Sequence, residues 1–284
     1  MSAIKETIPL RIDRNFEAPS VPLVLTRILQ ILDDDSSSAR ELEELILHDP
    51  SLSARLLRLA NSAFYSFRHD VKSISHAMAL LGLNLVKSLA IGVNIFESFT
   101  RGMKKEAGQI NKLWMHSFGT ALLAQDIWTR RVGRREGEFA FLCGLLHDLG
   151  KIVFFKCDPT NYSKIFAKEK KEEEPDISTL EDEAYGMDHA ASGAMLAKHW
   201  GLPPELAVVI RQHHTAASTG NTLAAAIAVS DMLVRRAQIG YDGDCERTSE
   251  IEKLQALLKM PPEELDRLAA LAEEKRSAVD EFFL

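Results

Sequence analysis

The sequence predicts an all-α protein. Apolar residues recur at intervals of three and four through most of the 284 residues, which is the spacing of one face of an α-helix. Runs that alternate apolar and polar residues between turn residues, as half-buried strands do, are nearly absent. Helix-capping residues also stand where such helices need them: Asp49 precedes Pro50, Ser73 precedes an apolar run, and Gly82 ends that run. These observations favour helices throughout.

Five helices are predicted before residue 100. Ser38 with Glu41 forms a capping box that opens SARELEELILHD, and the runs SISHAMALL and LNLVKSLAIGVNIFESF follow further on. A polar, glycine-containing break at residues 100–109 then separates this set from the rest. We therefore predict an N-terminal helical bundle over residues 1–105, packed on a second helical part over residues 106–284.

The second part is predicted to contain a longer series of helices. They are expected in INKLWMHSFGTALLAQDIWTRRV, EFAFLCGLLHDLG, DPTNYSKIFAKEKK, ISTLEDEAYG, MDHAASGAMLAKHWG, PPELAVVIRQHHT and NTLAAAIAVSDMLVRRAQI, with two short acidic helices after Thr248. The charged run from Lys168 to Asp176 is interpreted as a solvated helix end and loop.

Composition removes several classes of function. The formal net charge is −7 and no basic stripe is interleaved with aromatic residues, so nucleic acid is not expected as a direct partner. Cys143, Cys157 and Cys245 are odd in number and far apart, which supports neither a disulfide framework nor a thiolate zinc site. The N-terminus lacks the apolar core of a signal peptide, and the most hydrophobic long window is interrupted by polar residues. We expect a cytoplasmic protein that neither spans nor binds a membrane.

One stretch places an acid and an imidazole inside an apolar run. In LCGLLHDLGKIVF, His147 and Asp148 are surrounded by residues that belong in a core. An isolated charge removed from water costs several kcal/mol or more unless it is paired or bound to a metal. A compensating group is therefore expected near Asp148.

Other histidines and one further acid stand in similar apolar surroundings. Any one of them alone is more simply a hydrogen-bonded core or surface residue, but together they make a mixed nitrogen and oxygen donor set that suits iron, manganese, zinc or cobalt. The candidate ligands are His116, His147, Asp148, His189, His213, His214 and Asp231. Asp148 is placed to bridge two ions, whereas adjacent His213 and His214 are hard to direct at one ion.

Lys151 follows His147 by about one helical turn. It is predicted either to contact a substrate phosphate or to complement the dipole at a helix C-terminus.

The spacing of these residues resembles a known signature. His116, the His147–Asp148 pair and Asp231 resemble the H…HD…D pattern of the HD superfamily, helical metal-dependent phosphohydrolases. The stretches FEAPSVPLVLTRILQILDDD, ELILHDPSLSARLLRLANSAFY and SISHAMALLGLNLVKSLAI closely resemble the HDOD domain of bacterial signalling proteins, and the similarity continues to about residue 240.

This resemblance implies a set of roles for the site. The seven candidate ligands match the pattern of the related HD-GYP phosphodiesterases, and Lys151 matches their HDxGK motif. The resemblance implies that His116, His147, Asp148 and Asp231 surround one ion, and that the other three histidines complete a second. In a hydrolase, Asp148 and Lys151 would be the catalytic residues. The segment after His214 is TAASTGNT and lacks the GYP tripeptide, so hydrolysis of cyclic di-GMP is not implied.

Two functions follow from the resemblance. The first is an HDOD-type regulatory protein of bacterial signal transduction that carries one or two divalent transition metals, with iron or manganese favoured over zinc, and binds other signalling proteins through its N-terminal bundle. The alternative is an active metal-dependent phosphohydrolase that takes a phosphoester or nucleotide. Phe64, Tyr65 and Phe67 end one helix of the bundle, where they would anchor a partner or fill the core between the two parts.

Overall fold

The fold is helical wherever it can be described. The computed structural model describes residues 39–62, 69–168, 176–240 and 248–283, and within these ranges it contains helices, turns and no strand. The all-α prediction is confirmed.

The helices follow one another with short connections. In chain order they are α1 (Ala39–Leu47), α2 (Pro50–Asn61), α3 (Ile74–Leu81), α4 (Leu83–Thr100), α5 (Ala107–Arg131), α6 (Arg134–Leu146), α7 (Leu149–Cys157), α8 (Pro159–Lys168), α9 (Ile177–Tyr185), α10 (His189–His199), α11 (Pro204–Gln212), α12 (Ala216–Thr219), α13 (Thr222–Arg236), α14 (Thr248–Leu258) and α15 (Pro262–Phe283).

The predicted caps account for where the early helices begin. The side chain of Asp49 accepts a hydrogen bond from the backbone N–H of Leu52 at 3.0 Å, at the start of α2. Ser73 Oγ accepts one from the third residue of α3 at 3.2 Å. Gly82 ends α3 with φ +94°, a conformation that favours glycine, and α4 starts directly after it. Ser38, the other predicted cap, lies outside the described residues.

Three elements differ from the prediction. His147 and Asp148 lie between α6 and α7 rather than inside one helix, because the chain tightens there and the N–H of Lys151 bonds to the carbonyl of Asp148, three residues back, at 2.9 Å. Helix α15 is 22 residues long rather than short, since apolar residues from Leu268 to Phe282 keep helical spacing and are buried. The single turn α12 was not predicted.

Helix α5 lies at the centre of the packing. It packs against α6 along its length and also against α13 and α15, while α10 packs against α7 and α11. Helix α15 contacts α2 as well as α5: the ring of Phe282 stacks on Phe118 of α5 with centroids 4.2 Å apart, and the guanidinium of Arg55 of α2 lies 5.9 Å from the centre of the same Phe282 ring. The C-terminal helix thus ties the first helices to the centre, and the domain boundary at residue 105 stays a prediction.

Several sequence features fall outside the described residues. These are the aromatic residues Phe64, Tyr65 and Phe67, most of the charged run, and Cys245. Neither Cys143 nor Cys157 forms a disulfide bond within the described part of the chain. Among the described helices, none is by itself long and apolar enough to cross a membrane, although α3 and most of α4, which meet at a bend of 113°, pass that test together.

Candidate metal centre

The seven candidate ligands come together from five separate parts of the chain. One lies within α5, two between α6 and α7, one at the first position of α10, two directly after α11, and one within α13: His116, His147, Asp148, His189, His213, His214 and Asp231. Six of them are buried, and His214 is half-buried. The structure therefore brings every predicted ligand to one place.

Asp148 lies at the middle of this cluster. Its Oδ1 is 3.2 Å from Nε2 of His189 and 3.9 Å from Nε2 of His213, and its Oδ2 is 3.4 Å from Nε2 of His147 and 3.9 Å from Nε2 of His116. Its two oxygens thus face different pairs of imidazoles, an arrangement that suits a carboxylate bridging two positions.

Three overlapping groups of side chains are spaced to hold a cation. In each group the candidate ligand atoms lie within 4.8 Å of one another, and the groups are His116, His147 and Asp231; His147, Asp148 and His213; and His189, His213 and His214. Because His147 and His213 each belong to two groups, the positions adjoin one another.

Backbone hydrogen bonds fix how two of the imidazoles face the cluster. Nδ1 of His147 lies 2.7 Å from the carbonyl oxygen of Gly144, and Nδ1 of His213 lies 2.7 Å from that of Ile210. A carbonyl oxygen only accepts, so Nδ1 must be the donor, which leaves the lone pair of a neutral ring on Nε2. Within the described part of the chain, both buried Nε2 atoms lack a hydrogen-bond partner. Buried nitrogens with lone pairs turned towards a carboxylate fit a metal ion.

His189 is held by a buried acid that the sequence analysis did not identify. Glu181 Oε2 accepts hydrogen bonds from the backbone N–H of His189 at 2.7 Å and from its Nδ1 at 2.6 Å, and Oε1 accepts one from the hydroxyl of Tyr162 at 2.6 Å. Burial alone would lower the pKa of His189, but Glu181 and Asp148 raise it to about 10. His189 Nε2 also lies 2.7 Å from Nε2 of His214, a hydrogen-bond distance.

Each aspartate of the cluster is paired with a cation from its own segment of chain. Lys151 Nζ lies 3.0 Å from Asp148 Oδ2, and Arg235 Nε lies 2.7 Å from Asp231 Oδ1. Burial would raise the pKa of Asp148, yet His147 and Lys151 hold it well below its ordinary value. Burial would likewise raise the pKa of Asp231, yet Arg235 and then His116 hold it low. Both carboxylates are therefore ionised at neutral pH.

A close helix contact places Asp148 against His189. Gly150, at the second position of α7, lies against the first turn of α10, so that a Cβ there would overlap the carbonyl oxygen of His189 and lie 2.7 Å from its carbonyl carbon. Glycine is needed at this point because two backbones approach more closely than a side chain allows.

Comparison with known proteins agrees with this geometry. The family model described as the HDOD domain matches residues 18–216, well over half of the chain. The chain belongs to the HDOD domain family. The predicted resemblance to HDOD is thus confirmed.

Relatives of this HDOD protein include both solved structures and a curated sequence. A structure from Shewanella amazonensis SB2B, named for an inferred phosphohydrolase activity, is 27% identical, with 98% of this chain and 97% of that one covered and a TM-score of 0.72. An HDOD domain protein of unknown function from Geobacter sulfurreducens is 25% identical, with coverage of 97% and 98% and a TM-score of 0.74. An uncharacterised protein from Treponema pallidum (strain Nichols) is 26% identical over 226 residues, which are 78% of this chain and 43% of that protein. The chain therefore spans less than half of that curated relative.

A narrow cavity adjoins the cluster in this HDOD domain. It offers about 30 Å³ of room, enough for one or two water molecules, and it is lined by Asp176, His213, His214, Ala228, Asp231, Met232, Arg235 and Glu250. A phosphoester is larger than this space, so through this cavity it would reach the cluster only after lining side chains had moved.

Two of the residues that complete the site left a signal in the sequence. Arg235 follows Asp231 by four residues on a helix, the spacing at which opposite charges meet. Glu181 stands on the buried stripe of α9 between Ile177 and Tyr185, where an apolar residue is expected. An acid on the buried face of a helix indicates that a buried partner compensates it, but the spacing of residues in the sequence does not tell which residue that partner is.

Proposed function

We propose that this HDOD protein is a metal-binding regulatory protein of bacterial signal transduction. The observation that carries the proposal is the convergence of buried Nε2 lone pairs, those of His147 and His213, on the central carboxylate of Asp148. The nitrogen and oxygen donor set supports one or two divalent transition ions; among these we propose iron or manganese, and zinc would also accept the same ligands.

The three overlapping groups name the residues that would hold these ions. One ion would be held by His116, His147 and Asp231. The other would be held by His189, His213 and His214, and Asp148 would lie between the two ions. The chemistry that a bound divalent ion supplies is neutralisation of these carboxylates and polarisation of a phosphoryl oxygen. Glu181 and the backbone carbonyls keep the rings oriented towards the cluster.

The narrow cavity favours regulation over catalysis. A site that admits only small molecules can bind and exchange ions, whereas turnover requires room for the substrate at an open coordination position. On this view the metal sets the arrangement of the helices, and the N-terminal bundle carries the signal to another signalling protein. Leu47 of α1, 57% exposed, offers an apolar contact on that bundle.

Phosphoester hydrolysis is the second candidate function. Lys151, buried with its Nζ 3.0 Å from Asp148, places a cation where a phosphate would bind. The relative from Shewanella amazonensis, at 27% identity, carries the name of that activity. The bound phosphoester or nucleotide would require the cavity residues to open, and its hydrolysis would make Asp148 and Lys151 catalytic residues.

Metal analysis of the purified full chain tests the proposal. Protein prepared without added ions is expected to retain a divalent transition metal, and Asp148→Asn is expected to lose it because the central carboxylate charge is removed. Asp182→Asn is the matched control, since Asp182 is an exposed residue of α9. Retention of metal by Asp148→Asn at the level of Asp182→Asn would contradict the proposal.

Activity assays on the same samples separate the two functions. Metal present without turnover of bis-p-nitrophenyl phosphate or cyclic di-GMP would support regulation, and turnover that is abolished in Asp148→Asn with the fold intact would support the hydrolase. The proposal also places the protein in the cytoplasm, which cell fractionation would test.

A further inference from the structure

Asp231 is bound to a cation of its own helix before any metal enters. The Nε of Arg235 lies 2.7 Å from Oδ1 of Asp231, and both side chains are nine-tenths buried. Asp148 has a similar partner in Lys151, but that lysine belongs to the motif shared with the HD-GYP enzymes, whereas Arg235 is not part of the ligand pattern. The arginine is therefore a separate feature of this chain.

Arg235 contacts the same oxygen that faces the ligand group. Oδ1 of Asp231 lies 2.8 Å from Nε2 of His116 and 4.0 Å from Nε2 of His147, and these three side chains form one of the groups spaced to hold a cation. Oδ1 is thus the oxygen that both imidazoles approach and that the guanidinium contacts, so a cation bound through Oδ1 would meet Arg235. Two positive charges would then lie within a few ångströms of each other in a buried place, where their repulsion is weakly screened.

We propose that Arg235 is an internal counter-cation that competes with metal at the position formed by His116, His147 and Asp231. It stabilises the metal-free cluster by compensating the charge of Asp231, and it lowers the affinity of that position because metal binding must displace it from Oδ1. This inference deepens the proposed function and rests on its assignment of these three residues as ligands.

Acidic side chains close to Arg235 offer the displaced guanidinium other partners. Arg235 lines the cavity together with the carboxylates of Asp176 and Glu250. A guanidinium that leaves Oδ1 can therefore turn towards these acidic side chains, so that displacement is a local movement. The site would then fill and empty with the supply of metal, which is the behaviour that a regulatory site requires.

Cobalt binding by the full chain tests the competition. Co²⁺ is the probe because its visible absorption reports the ligands around it, and the affinity is measured by titration of metal-stripped protein. Arg235→Gln is expected to bind Co²⁺ roughly tenfold or more tightly than the wild type, the scale on which groups behind the ligands alter metal affinity. Arg236→Gln is the matched control, since Arg236 is the next residue of α13 and is exposed, and it is expected to behave as the wild type.

Thermal unfolding supplies a readout that does not depend on bound metal. In EDTA the melting temperature of Arg235→Gln is expected to fall below that of Arg236→Gln, because the Asp231 carboxylate loses its counter-ion, and added Co²⁺ should raise it by more than it raises the control. If Arg235→Gln does not fold without metal, Arg235→Lys decides the question: it keeps a charge without the Nε contact, and it is expected to bind Co²⁺ more tightly than the wild type.

The outcomes separate this inference from the proposed function. Equal or weaker Co²⁺ binding by folded Arg235→Gln would overturn the competition and make Arg235 a group that positions Asp231, while metal binding by the wild type would still support the proposed function. Binding by Arg235→Gln alone would support the competition and refute a resident metal in the wild type. An absence of binding in all variants would overturn both.

Discussion

Glu181 is the buried group whose removal should disturb the candidate site most specifically. Its carboxylate accepts three hydrogen bonds, from the hydroxyl of Tyr162 at 2.6 Å and from the backbone N–H and Nδ1 of His189 at 2.7 and 2.6 Å. Glu181→Gln keeps the size and one acceptor oxygen but removes the charge. Hydrogen bonds to a charged group are about twice as strong as neutral ones, so weakening three of them should lower the free energy of unfolding by roughly 2 kcal/mol.

The same substitution should weaken metal binding. A charged partner makes the ring of His189 a better ligand and fixes its orientation, and loss of such a partner typically reduces metal affinity by about 10- to 100-fold. Urea unfolding and Co²⁺ titration measure the two effects on one preparation. Glu183→Gln is the matched control, because Glu183 is an exposed residue of the same helix. If both variants show the same unfolding free energy and the same Co²⁺ affinity, the role assigned to Glu181 is refuted.

Two further substitutions test the packing around the site and the buried charge in α15. Gly150→Ala should destabilise the fold by about 1–3 kcal/mol, because the added Cβ overlaps the backbone of His189. Gly108→Ala is the control and should be neutral or slightly stabilising, because its Cβ meets nothing within 4 Å. An equal effect of the two substitutions on urea unfolding would contradict the close approach of α7 to α10 at Gly150. Burial lowers the pKa of Lys275 from 10.5 to about 7, so the unfolded chain binds more protons between these values and the stability of the wild type should rise across that window. Lys275→Met should be more stable than the wild type at pH 7 and should not show this rise of stability with pH. If urea unfolding gave the same pH dependence for Lys275→Met and the wild type, the lowered pKa of Lys275 would be refuted.

Local signals in the sequence were enough to predict most of the helices. Asp49 and Ser73 cap the helices they were expected to cap, because a cap depends on residues three positions apart. The turn at His147 and Asp148 was missed for the opposite reason. Both residues stand in an unbroken apolar run, and the helix breaks at the backbone of Asp148, where φ is −94° and ψ is 15°, while His147 keeps helical dihedral angles.

The candidate ligands were predictable because their residue types are unusual in apolar helices. His116 and Asp231 stand out against the alanines and leucines around them, and a donor set can be assembled from such exceptions without knowing the fold. Glu181 was harder to recognise although it stands on the buried stripe of its helix, because α9 also carries exposed acids such as Asp182 and Glu183. Its partner Tyr162 lies in a different helix, and that contact follows only from the packing of α8 against α9.

The buried carboxylates raise the question of what holds the cluster together. Asp148 is compensated by Lys151, Asp231 by Arg235, and Glu181 by His189, whose pKa of about 10 keeps the ring protonated at neutral pH. Each acid therefore has a cation supplied by the protein. A structural zinc domain, whose thiolates have no other partner, depends on its metal to fold. Here a metal would instead replace protons and side-chain cations already in position, so its binding is governed by how easily these groups leave, and Arg235 is the one whose removal measures that directly.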